Sequence, residues 1–87
     1  MITGKLDTGF AFSVDETALD DLLLFRAMKK ADEGDLMAYD TVGERLLGAE
    51  QYEALLTHLK NDTGRVSFAA VARAILEILA SFNAGKN

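Results

Sequence analysis

Ser67-Phe68-Ala69-Ala70-Val71-Ala72-Arg73-Ala74-Ile75-Leu76-Glu77-Ile78-Leu79-Ala80-Ser81-Phe82 is the stretch that decides the fold class of this chain. At 100° per residue, Phe68, Val71, Ala72, Ile75, Ile78, Leu79 and Phe82 share an arc of about 120°, opposite Arg73 and Glu77. Neither Gly nor Pro interrupts the run, and Ser67 is a suitable N-cap. A helix with such a stripe has to bury it, so the rest of the chain must supply partners for it.

Upstream, Ala49 to Lys60 places Tyr52, Leu55, Leu56 and Leu59 within one arc before the turn residues Asn61-Asp62-Thr63-Gly64. Leu36 to Leu47 carries Leu36, Tyr39, Val42 and Leu46 at helical spacing, with Asp35 as N-cap and Gly48 as the residue after the last turn. Gly43 weakens that helix from within. Before it, Ser13-Val14-Asp15-Glu16 has the S-x-x-E capping pattern, which predicts a helix from about residue 15 to Ala31, broken by Asp32-Glu33-Gly34-Asp35. On that helix Ala18, Leu22 and Phe25 point one way, Leu19 and Leu23 another, and Leu24, Met28 and Ala31 a third. A helix apolar on most sides is either central in its domain or covered by a partner.

At the amino-terminal end, Ile2, Gly4 and Leu6 alternate with polar neighbours. Asp7-Thr8-Gly9 supplies a turn, and Phe10, Phe12 and Val14 alternate again, the pattern of a β-hairpin. The architecture expected is therefore mainly α: a small bundle of about four helices with a short N-terminal β-hairpin. It is read as one domain over 1–87, with the hairpin over 1–14, helices over 15–82 and a frayed tail over 83–87.

The 87 residues are 49% hydrophobic and contain no Cys, so neither disulfides nor thiolate metal sites support the fold. The absence of Cys is compatible with a reducing compartment. Fourteen acidic against nine basic residues give a net charge of −5, and the basic residues are scattered along the chain. Nucleic-acid binding needs clustered Lys and Arg, so that class is not expected, nor is adsorption to anionic membranes. There is no apolar run of signal-peptide or membrane-spanning length.

Residues that could carry chemistry are few. His58 is the sole histidine, and Ser13, Ser67 and Ser81 read as caps or helix-end residues rather than activated nucleophiles. His58 is thus expected to be structural or on the surface. The pairs Glu16/Asp20, Asp40/Glu44 and Glu50/Glu53 read as solvated helix-surface charge. In the segment Leu59 to Ser67, placing Gly64 at the sixth position of a calcium loop puts Leu59 and Ala70 at the first and twelfth, where neither can ligate. No glycine spacing makes a phosphate cradle. The expectation is a protein without catalytic, metal or cofactor sites.

From Gly9 to about Ile78 the chain resembles the small tail assembly chaperones of long-tailed, siphovirus-like bacteriophages and prophages. The resemblance is carried by Gly9-Phe10-Ala11-Phe12-Ser13-Val14-Asp15-Glu16 leading into Leu19-Asp20-Asp21, then Leu46-Leu47-Gly48-Ala49-Glu50-Gln51, then Leu55, His58 and Leu59, and finally Gly64-Arg65-Val66. It implies a short, acidic, helical, non-enzymatic protein of the bacterial host cytoplasm that coats the tape-measure protein during tail assembly. Self-association is open. The partner contacts expected are Leu23, Leu24, Met28, Leu76 and Phe82. Two other readings stand beside it: an adaptor of degenerate, metal-free EF-hand-like type, and a structural virion subunit.

Overall fold

The computed structural model describes residues 1–84, with side-chain surroundings through Phe82. Strands β1 (Ile2–Lys5) and β2 (Ala11–Val14) pair antiparallel, with Ile2 opposite Val14 and Gly4 opposite Phe12. Gly9 adopts a positive φ of 97° in the connecting turn, as a residue without Cβ does readily. A 3-10 turn over Glu16–Asp20 follows, then α1 (Leu22–Asp32), α2 (Ala38–Leu47), α3 (Ala49–Leu59) and α4 (Phe68–Ala84). Among the described residues the fold is mainly helical, with four helices and the hairpin expected from the sequence.

One cluster of buried side chains joins the hairpin to all four helices. Leu6, Phe12 and Val14 meet Leu24, Val42, Leu46, Tyr52, Leu55, Ile75 and Ile78. Burial of each large side chain contributes roughly 1.5–3 kcal/mol before chain entropy is counted. The central element is α2, which touches α1, α3, α4, β2 and the 3-10 turn. The choice left open for α1 is thereby decided: it lies at the periphery, packed mainly on α2.

The first helix begins later than the capping pattern predicts. Ser13 lies in β2, so no S-x-x-E box forms. Instead Asp15 accepts from the Thr17 N–H at 2.9 Å to cap the 3-10 turn, and Asp21 accepts from the Leu23 N–H at 2.9 Å to cap α1. The Asp35 side chain does not cap α2, which starts at Ala38 behind a turn containing Leu36 and Met37. At the other end α4 runs on through Ala84, past the predicted fraying point at residue 83. Residues 85–87 of that tail lie outside the described residues.

Face assignments on α4 also shift. Val71, Ala74, Ile75 and Ile78 are buried, whereas Phe68 is exposed and stands edge-on to Tyr39 with ring centroids 5.8 Å apart. Glu77 is half-buried, and its Oε2 accepts from the Asp7 N–H at 2.9 Å, tying the hairpin turn to α4. Gln51 on α3 makes a second tie. Its Oε1 accepts from the Ser13 N–H at 2.8 Å, while its Nε2 donates to the Ser13 carbonyl at 2.8 Å and the Leu47 carbonyl at 2.9 Å. One side-chain amide thus serves the free edge of β2 as a further strand would. Gln51→Ala leaves those backbone groups without their protein partners and is expected to cost about 1–2 kcal/mol, read by chemical denaturation. Amide exchange at Ser13 should accelerate in parallel.

Candidate protein-binding site

The surface of α1 follows from its helical phase. Leu24 and Ala27 face the core, with Met28 and Ala31 partly buried beside them, which turns the other side chains of the helix outward. Its first turn is nonetheless apolar: Leu22 is 64% exposed, Leu23 47% and Phe25 48%. In the turn before α2, Leu36 and Met37 are likewise exposed. Scattered single apolar residues are ordinary on a protein surface, whereas several close together make a candidate association surface.

Two grooves flank α1. One, of about 350 Å³, runs between α1 and α2 and is lined by Leu23, Arg26, Ala27, Lys30, Asp35, Met37, Ala38, Thr41 and Arg45. The other, of about 230 Å³, lies among α1, α2 and α4 and includes Met28, Ala31, Tyr39, Leu76 and Leu79. Of the five contact residues expected, Leu23 borders the first groove, and Met28 and Leu76 border the second. Phe82 is half-buried against the core. Leu24, 1% exposed, belongs to the core and has no free surface to offer. The five therefore do not form one surface.

Leu22, Phe25, Leu36 and Met37 are exposed apolar residues that the expected set omits. For Met37 a signal existed: at 100° per residue it stands about 160° from the centre of the Val42/Leu46 face, so it cannot share the buried side of α2. Leu36 stands about 100° from the same centre and lies in the turn that precedes α2.

The polar groups near these surfaces serve the fold. Arg45 Nε donates to Asp21 Oδ2 at 2.7 Å. That bond, followed by the backbone N–H of the α1 cap, holds the Asp21 carboxyl below its ordinary range. Asp40, one of the paired carboxylates, accepts from the Tyr52 hydroxyl at 2.7 Å. Burial, reinforced by the neighbouring Asp40, pushes the Tyr52 phenol up, so it remains a donor. His58 is exposed, with Nε2 3.1 Å from the Thr8 carbonyl and its ring tilted against Phe10 at 5.4 Å, a third tie to the hairpin.

The loop tested for calcium is closed by its own residues. The Asn61 side chain accepts from the Thr63 N–H, the Thr63 hydroxyl and the Arg65 N–H, and Gly64 takes a φ of 82°. Among the described residues no three His, Cys, Asp or Glu side chains are grouped to hold a metal ion, and no helix is long and apolar enough to cross a membrane.

Compared with protein-family profiles, with curated proteins and with solved structures, the chain finds no match in any of the three. What can be said of its function therefore comes from its own residues.

Proposed function

We propose that this chain is a non-enzymatic protein-binding domain acting as a tail assembly chaperone of a bacteriophage or prophage, coating the tape-measure protein in the host cytoplasm while the tail forms. The observation that carries this reading is the exposed apolar first turn of α1, Leu22, Leu23 and Phe25, of which Leu23 borders the same groove as the exposed Met37. An apolar helix that must be kept from aggregating needs such side chains to receive it, and the acidic surface supplies solubility. The resemblance in motif layout described above supplies the identity of the partner.

Affinity co-purification from cells that also express the neighbouring genes tests the proposal, with stoichiometry read by light scattering. Several copies bound along one long helical protein, and absent from finished particles, are the expected result. Recovery of the chain alone, at one to one with a short helix-bearing partner, or as a retained part of the particle would sink the proposal. The last two outcomes would instead favour an adaptor and a structural subunit.

A further inference from the structure

The groove between α1 and α2 combines an apolar floor with a charge opposite to that of the protein. Leu23 and Met37 supply its exposed apolar surface, above the buried Ala27 and Ala38. Three of the nine basic residues, Arg26, Lys30 and Arg45, line it against one carboxylate, Asp35. Arg45 is engaged by Asp21, while Arg26 and Lys30 are exposed and have no ion-pair partner among the described residues. This local excess of positive charge lies on a chain whose net charge is −5.

We infer that this groove receives an amphipathic helix whose apolar stripe is flanked by carboxylates. The inference deepens the chaperone reading and rests on it for the helical form of the partner. Leu23 and Met37 contact the stripe, and Arg26 and Lys30 pair with the flanking acids. Complementary charge of this kind steers encounter and fixes register. The net charge of −5 opposes binding of the same helix elsewhere, which favours this groove as its landing place.

Net charge and groove charge predict opposite preferences, which makes the inference testable with two synthetic peptides. Both are helices of about 20 residues, roughly 30 Å long, with one Leu/Ala stripe, flanked by Glu in one and by Lys in the other. Titration calorimetry on the full chain is expected to show the Glu peptide binding at least about tenfold more tightly, less so as salt is raised. Arg26→Glu with Lys30→Glu reverses the preference. Arg26→Gln with Lys30→Gln removes it while Lys29 still serves the helix C-terminus, and circular dichroism verifies the fold of each variant. Leu23→Ala weakens both peptides.

Preference of the unaltered chain for the Lys peptide, binding of neither, or indifference to the Arg26 and Lys30 changes overturns the inference. So does displacement of the Glu peptide by a duplex DNA oligonucleotide, which would make the groove a phosphate site. Self-association of the chain that the charge reversal abolishes would assign the groove to a second copy and overturn it likewise. If the Glu peptide binds as expected but no long helical protein co-purifies, the chaperone reading falls and the groove stands. If coating of a long helical protein survives the charge reversal, the groove falls and the chaperone reading stands.

Discussion

Gly43→Ala is expected to lower stability by about 1–3 kcal/mol, although the same exchange at an exposed helical position gains about 1 kcal/mol. Gly43 is buried inside α2, and a Cβ built on it would fall onto the Tyr52 ring of α3, 2.8 Å from Cδ1 and 2.9 Å from Cζ. That ring has little room to withdraw: Tyr52 is 3% exposed and its hydroxyl is held by Asp40. Either α3 moves away from α2 or the ring gives up that hydrogen bond. Thermal melting should show the midpoint falling by about 5–20 °C for a domain of this size. In a Tyr52→Leu background, which removes the far end of the ring, Gly43→Ala should cost clearly less. An unchanged or raised midpoint for Gly43→Ala alone would show that the α2–α3 contact is looser than described.

Leu24→Ala is expected to cost about 2–5 kcal/mol, and Leu23→Ala less than about 0.5 kcal/mol. The two leucines are adjacent in sequence, yet Leu24 is 1% exposed and Leu23 47%. Truncating Leu24 opens a cavity against α2; truncating Leu23, about half of which is in water, leaves no enclosed cavity. In urea the first variant should shift the unfolding midpoint strongly and the second hardly at all. The pair also separates stability from binding, since a loss of partner binding in Leu23→Ala cannot then be ascribed to unfolding. Equal costs for the two would mean that the helical phase of α1 is wrong.

The helices whose stripes are long and whose caps are unambiguous were legible without the structure. α3 ends one residue before its predicted limit, and α4 begins where Ser67 places it, the Ser67 hydroxyl accepting from the Ala70 N–H at 3.2 Å. The stretch from Ser13 to Asp21 was not legible in the same way, because Ser13, Asp15 and Asp21 are all competent caps. Pairing with β1 decided among them by drawing Ser13 into the hairpin, and a contact of that range leaves no local mark. Gly43 by itself reads as a weakness of α2, but it is where the Tyr52 ring, nine positions on, lies against the α2 backbone. The same holds for the proposed binding surface. The sequence shows a helix apolar on most sides, but which leucine faces outward, and that Arg26 and Lys30 border one groove with Leu23, depends on the packing.

The ties that hold the hairpin also set an order of events during synthesis. Ser13, Thr8 and Asp7 are translated before their partners Gln51, His58 and Glu77. A two-stranded hairpin alone is marginal in water, so it has nothing stable to dock on until α3 and α4 have left the ribosome. Val71, Ala74, Ile75 and Ile78 of α4 complete the core at the same late stage. Docking of the hairpin is therefore completed only after α4 has been made.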